Sequence, residues 1–89
     1  MQTATVTIIN KLGLHARAAT VLSSTAGSFS SSLKVGVKDK MVDAKSVMSL
    51  MLLAASQGSE LQLEAEGNDE KEAIQGIVDL IGNRFGENE

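Results

Sequence analysis

The segment ELQLEAE, residues 60–66, alternates apolar and polar side chains along its whole length. Leu61, Leu63 and Ala65 fall on one side of it, and the other four positions are Glu or Gln. Because side chains in a strand alternate with a period of two, this pattern predicts a strand with one buried and one solvated face. Such one-sided strands are typical of antiparallel sheets.

Three other segments also have the composition of strands. TATVTII (residues 3–9) is rich in Thr and β-branched residues, SLKVGV (32–37) alternates, and a KDK turn leads from it into a short strand at 41–43. The alternating apolar residues of the first two segments are Val6, Ile8, Leu33, Val35 and Val37.

Two helices are expected between these strands. Residues 16–26 are rich in alanine and stop before Gly27, as a helix with a glycine terminator should. Ser46 is a favoured N-cap residue and precedes a short helix at 47–53. On the first helix Ala19, Leu22 and Ala26 share one face, which leaves Arg17, Thr20, Val21 and Ser24 outward.

A third helix is expected after Asp69, which together with Glu72 resembles a capping box. Its apolar stripe consists of Ile74, Ile77, Val78, Ile81 and Phe85. The resulting order, β-α-β-β-α-β-α, predicts an α+β fold in which helices cover one face of an antiparallel sheet and water covers the other. Eighty-nine residues suffice for one modest core, so residues 1–89 are expected to form a single domain.

Composition and charge narrow the class of protein. The chain has no Cys, which excludes disulfides and thiolate metal sites. The N-terminal MQTATVTIIN lacks the pattern of a signal peptide, and the longest apolar run, VMSLMLLAA, is too short to cross a bilayer. We therefore expect a cytoplasmic protein without membrane insertion.

The net charge of −3 is unevenly distributed. Residues 1–58 carry six Lys or Arg against two Asp, whereas residues 59–89 carry nine Asp or Glu against two Lys or Arg. The acidic half is expected to lie away from the single histidine, and the positive half could steer an anionic partner surface toward it. Nucleic acid is not expected as a partner, because the basic residues are scattered and only Phe29 and Phe85 are aromatic.

GLHARAA, residues 13–19, holds that histidine and one of the two arginines. If a helix starts at residue 16, His15 is its N-cap residue and faces the unpaired N–H groups of the first turn. The positive end of the helix dipole disfavours an imidazolium there, so the ring is expected to be neutral and nucleophilic.

A phosphoryl group is the ligand that best suits this helix N-terminus. Backbone N–H groups at a helix start bind anions, and here they belong to Ala16, Arg17 and Ala18. The Arg17 guanidinium adds a planar fork that suits phosphate oxygens. The pattern indicates a phosphohistidine, although an ordinary surface histidine has the same spacing. A metal site would need more ligands than one His, and a hydrolytic triad lacks an acid partner for the ring.

Three motifs together carry a family resemblance. GLHARAA, AKSVMSLM (44–51) and AEGNDEKEAI (65–74) make the chain similar to the HPr family of phosphocarrier proteins of the bacterial phosphoenolpyruvate-dependent phosphotransferase system. The resemblance spans essentially the whole chain. It implies an open-faced β-sandwich with four strands and three helices, which acts as a monomer without a cofactor.

The resemblance also implies a reaction. His15 would accept a phosphoryl group on Nδ1 from enzyme I, with phosphoenolpyruvate as donor, and pass it to an enzyme IIA domain, while Arg17 holds and releases that group. Ala18 departs from the family, which usually has Pro there. This substitution leaves open whether the chain serves sugar uptake or the nitrogen-related branch of the system.

The second helix is apolar nearly all round, and a short helix on one sheet cannot bury every side. Leu50 and Leu53 are expected in the core. The resemblance places a docking patch for enzyme I and enzyme IIA on the surface: Val47, Met48 and Met51, completed by Thr20, Val21 and Ser24. Methionines suit a surface that must fit several partners.

Two alternatives remain at this stage. Ser46 is expected to be an N-cap, and the resemblance implies that it could also be the substrate of an ATP-dependent HPr kinase/phosphorylase. The protein itself could be a regulatory binding module that docks other proteins through the same surface. Relatives specialised in that way lack the histidine, so His15 and Arg17 favour the carrier.

Overall fold

A computed structural model describes all residues, 1–89, and its sheet and helices follow the predicted order. The four strands pair antiparallel in the order β1-β4-β2-β3. The elements are β1 (Gln2–Thr7), α1 (Ala16–Gly27), β2 (Ser32–Val37), β3 (Lys40–Asp43), α2 (Val47–Leu53), β4 (Glu60–Glu66) and α3 (Glu70–Gly82), followed by a 3-10 turn at Arg84–Gly86. The prediction of an open-faced α+β sandwich is confirmed.

The central strand β4 shows why the sheet has two unlike faces. Its Leu61, Leu63 and Ala65 are buried, as their alternation predicted. Leu63 lies opposite Ala4 of β1 and Val35 of β2, so the inner face continues across three strands. The helices complete this core with residues such as Leu22, Leu50, Ile77 and Ile81, all fully buried.

The start of α3 departs from the predicted capping box. Asp69 occupies the N-cap position, but its side chain makes no cap bond. Its carboxylate instead accepts from the backbone N–H groups of Ser30 and Ser31, each at 2.9 Å, and from the Ser31 hydroxyl. These hydrogen bonds, the Ser31 hydroxyl foremost, lower the pKa of Asp69 from 3.8 to about 2.

Glu70, and not Glu72, reaches back at this helix start. Its Oε1 accepts from the N–H of Gly67 at 3.1 Å. The capping-box prediction was therefore wrong, because Asp69 is turned toward the segment that precedes β2. The side chain ties α3 to the sheet instead of closing its own helix.

The end of α3 also differs from the prediction. The apolar stripe continues to Phe85, but the helix stops at Gly82. Arg84 and Phe85 then adopt left-handed backbone conformations, each with φ of 55°, and Phe85 turns back into the core with 2% exposure. This reversal sends residues 86–89 across the molecule to the loop before α1, where the Lys11 N–H donates to the Glu89 carbonyl at 2.6 Å.

None of the helices combines the length and the apolar character that a bilayer crossing requires.

Candidate functional site

The loop before α1 is built to present His15. Asn10 donates from Nδ2 to the Gly13 carbonyl at 2.8 Å and closes the loop. Gly13 has φ of +66°, and a Cβ there would lie 2.6 Å from the Ala55 carbonyl oxygen, so only glycine fits. The chain then enters α1 with His15 as its N-cap residue, as predicted, and the backbone of His15 is extended.

The first turn of α1 offers unpaired donors beside the ring. The first helical hydrogen bond runs from the Ala19 N–H to the His15 carbonyl at 2.8 Å, so the N–H groups of the three preceding residues have no backbone acceptor. Ala16 and Arg17 are exposed, whereas Ala18 is fully buried. The structure thus places the three predicted phosphate-binding residues together in the first turn of α1, and two of the three are exposed.

A carboxylate from the other end of the chain lies against His15. Glu87 contacts the ring at Nε2, and its Oε2 also accepts from Arg17 Nη1 at 3.3 Å. Its second oxygen, Oε1, accepts from Asn10 Nδ2 at 3.0 Å. The expectation that the acidic half lies away from the histidine was therefore wrong, and so was the expectation that the ring lacks an acid partner.

Sequence reasoning missed Asn10 and Glu87 for a physical reason. Glu87 lies 72 residues from His15, and it reaches the ring only because Arg84 and Phe85 reverse the chain. One signal was present: the last apolar residue of the α3 stripe is Phe85. Because Phe85 must be buried in the core, the two carboxylates that follow it, Glu87 and Glu89, are held close to the folded domain.

The environment keeps Glu87 ionised. Burial raises the pKa of this carboxyl, but hydrogen bonds from His15 and Asn10, with the charge of Arg17, hold the pKa below its ordinary value. An ionised carboxylate can only accept hydrogen bonds. Glu87 therefore requires a proton from each group that contacts it.

The His15 ring lines a surface hollow of about 520 Å³. Its lining residues are Lys11, Leu12, His15, Arg17, Gly86, Glu87, Asn88 and Glu89. Lys11 and Arg17 bring two positive charges to this lining, and Glu87 and Glu89 bring two negative ones. No group of three or more His, Cys, Asp or Glu residues is arranged to hold a metal ion.

The predicted docking residues of α2 lie on the surface with one addition. Met48 and Met51 are exposed, Val47 is half-buried, and Leu52, which the sequence interpretation left out, is 71% exposed. Leu50 is buried and Leu53 half-buried, as expected for the core side. On α1, Thr20 and Ser24 are exposed and Val21 is half-buried.

Ser46 is the N-cap of α2, which confirms the structural part of its prediction. Its hydroxyl accepts from the Ser49 N–H at 3.3 Å. The neighbouring Lys45 carbonyl accepts from Ser23 Oγ at 2.9 Å, so the start of α2 is fastened to α1. The serine and the exposed methionines therefore share one helix whose position relative to α1 is fixed.

Known proteins resemble this chain over nearly its full length. Residues 2–83 match the family described as "PTS HPr component phosphorylation site". Phosphocarrier protein HPr of Cupriavidus necator is 54% identical over 83 residues, which cover 93% of each chain. Its namesake in Pseudomonas aeruginosa is 49% identical over 94% of each chain. The crystal structure of HPr-C-His from Thermoanaerobacter tengcongensis superposes with a TM-score of 0.96, at 49% identity and full coverage of both chains.

Proposed function

The chain belongs to the HPr family of phosphocarrier proteins, and on that premise we propose that it carries a phosphoryl group on His15. Enzyme I, with phosphoenolpyruvate as the ultimate donor, supplies the group, and an enzyme IIA domain accepts it. The protein is then a cytoplasmic monomer that needs no cofactor and acts as the substrate of other enzymes, not as an autonomous catalyst.

The observation that carries the proposal is the state of the His15 ring. Nε2 is engaged by Glu87, and Nδ1 has no hydrogen-bond partner in the protein. Nδ1 is thus the nitrogen left for bonding to phosphorus. Its lone pair forms the N–P bond while the bond from phosphorus to the donor breaks, and that electron pair leaves with the donor.

The groups around Nδ1 suit the incoming charge. Ala16 and Arg17 are exposed residues of the first turn, and their N–H groups belong to the positive end of α1, where phosphoryl oxygens are stabilised. The Arg17 guanidinium can provide charge-assisted hydrogen bonds to the same oxygens. Ala18 belongs to the same turn but is buried.

Docking and regulation complete the proposal. Met48, Met51 and Leu52 form an exposed apolar surface on α2, which with Val47, Thr20, Val21 and Ser24 would contact enzyme I and enzyme IIA. Ser46 caps the same helix and would be the site at which an HPr kinase/phosphorylase acts. Because the serine immediately precedes this surface, a phosphate there would alter partner binding.

Intact mass spectrometry tests the carrier function. Incubation with phosphoenolpyruvate and a matched enzyme I should add one acid-labile phosphoryl group to the wild type and none to His15→Ala. The chain has no other histidine, so the variant is a clean control. An unchanged wild-type mass with an enzyme I shown to be active would contradict the proposal.

A further inference from the structure

We propose that Glu87, held by Asn10, is a positioning residue that keeps the His15 proton on Nε2 and so leaves the lone pair on Nδ1. The inference rests on the proposed function only where it concerns transfer rates, because the position of the proton is a property of the free protein.

Asn10 fixes the carboxylate on one side. The residue is fully buried, and its Nδ2 donates both to the Gly13 carbonyl, at 2.8 Å, and to Glu87 Oε1, at 3.0 Å. With both protons of the amide nitrogen used, its orientation is set. Its Oδ1 is buried without a partner, which costs free energy, so stability alone does not explain an asparagine here.

The C-terminal segment fixes the carboxylate on the other side. Phe85 is buried in the core, and the Glu89 carbonyl accepts from the Lys11 N–H at 2.6 Å. Glu87 lies between these two anchors, and its side chain is only 14% exposed. The carboxylate is therefore held against the ring from three directions.

This arrangement dictates the tautomer of a neutral ring. Glu87 is ionised and can only accept, so the nitrogen that contacts it must carry the proton. When Nδ1 attacks phosphorus, the proton stays on Nε2 and the ring becomes cationic, next to a carboxylate that offsets the charge. When the group leaves, the N–P electron pair returns to Nδ1, and the neutral Nε2–H ring is regenerated.

Two substitutions separate this role from simple packing. In Glu87→Gln, the amide oxygen can keep the bond from Asn10 only if the amide nitrogen faces His15, where it would donate to Nε2 and move the proton to Nδ1. In Glu87→Ala neither tautomer is enforced. The isosteric glutamine should therefore be the more harmful change, whereas a packing role would make alanine the worse one.

The experiment measures ring ¹⁵N chemical shifts of the unphosphorylated protein, and then the rate of phosphorylation by enzyme I. We expect the Nε2–H tautomer in wild type, a shift toward Nδ1–H in Glu87→Gln, and a mixture in Glu87→Ala. The transfer rate should fall by about tenfold in Glu87→Gln, corresponding to one charge-assisted hydrogen bond, and by less in Glu87→Ala. Glu72→Gln is the matched control, since it removes an exposed carboxylate of α3 that does not line the hollow beside His15, and it should behave as wild type.

An unchanged tautomer in Glu87→Gln would overturn the inference. So would a transfer rate of Glu87→Gln that equals the wild-type rate, or one that is faster than the rate of Glu87→Ala. Failure of the carrier function itself would look different, because wild type would then not be phosphorylated at all while the ¹⁵N shifts still reported the tautomer.

Discussion

In the unphosphorylated protein Arg17 pairs with Glu87, and a phosphoryl group on His15 would take the place of that carboxylate. Its Nη1 lies 3.3 Å from Glu87 Oε2 and 3.5 Å from the Phe85 carbonyl, distances at the long end of hydrogen bonding. The side chain is 57% exposed, and an exposed ion pair contributes little to stability. Arg17 can therefore leave Glu87 for phosphoryl oxygens at small cost.

Replacing Arg17 by Ala should slow phosphoryl transfer without unfolding the protein. Charge-assisted hydrogen bonds contribute about 1.5–3 kcal/mol each, so the loss of one corresponds to a roughly ten- to hundredfold slower rate. Rapid-quench measurement of transfer from enzyme I checks this. Arg84→Ala, at the only other arginine, controls for loss of a positive charge, and equal rates in the two variants would show that Arg17 has no special role.

At the scale of elements, α2 combines a cap with an exposed apolar surface. The Ser46 hydroxyl bonds the Ser49 N–H, and Met48 follows within the first turn with 75% exposure. A negative charge at the N-terminus of a helix is favourable, but a partner packing on Met48 would have to desolvate it. The stability of the fold and the affinity for a docking partner should therefore be affected by different substitutions of Ser46.

Two variants of Ser46 test this separation. Ser46→Asp keeps a capping side chain, so the melting temperature should stay near that of wild type while enzyme I binding weakens. Ser46→Ala should bind normally but lose about 1 kcal/mol of unfolding free energy with the cap. Calorimetric titration with enzyme I and thermal melts provide both readings. Unimpaired enzyme I binding by Ser46→Asp would leave this serine as a cap alone.

The link between α3 and the start of β2 should be sensitive to acid. The folded-state pKa of Asp69, about 2, lies below its ordinary value of 3.8, so the ionised carboxylate stabilises the fold above pH 4, and this contribution is lost as the pH falls toward 2. Urea unfolding should find Asp69→Asn less stable than wild type at pH 7, with the difference shrinking through that window. Asp79→Asn, whose carboxylate bonds only Gln75 on the same helix, should show no such trend. A difference that does not change between pH 7 and pH 2 would contradict this assignment.

The elements also show what the sequence could and could not predict. The alternation at 60–66 and the helical stripe from Ile74 are local patterns, and each predicted its element, although the last residue of the stripe, Phe85, lies beyond the end of the helix. The side chain of Asp69 was misassigned because its partners, Ser30 and Ser31, are distant in the sequence. Propensity describes a residue and its neighbours, whereas a long-range hydrogen bond depends on the finished fold.

At the scale of the whole molecule, the residues of the site divide into those that a local motif identifies and those that only the fold brings there. His15, Arg17 and the first turn of α1 are contiguous, so a motif could identify them. Asn10 and Glu87 join that motif only after the sheet and helices have assembled and the chain has reversed beyond Gly82. The C-terminal residues therefore meet the segment from Asn10 to Arg17 only in the folded protein.

The C-terminal segment should divide into a part that stabilises the fold and a part that serves the site. Phe85 is fully packed, and its replacement by Ala should cost about 3–5 kcal/mol, a large share of the stability of a small domain. A chain that ends at Gly86 keeps Phe85 but loses Glu87 and with it the acceptor of one hydrogen bond from the buried Asn10, so its unfolding free energy should fall by only about 1–3 kcal/mol. Urea unfolding of both variants checks the division. Equal destabilisation by the two changes would contradict the division. Residues 87–89 would then stabilise the whole fold through the contacts of Glu87 with Asn10 and His15, and those contacts could not be assigned to the site alone.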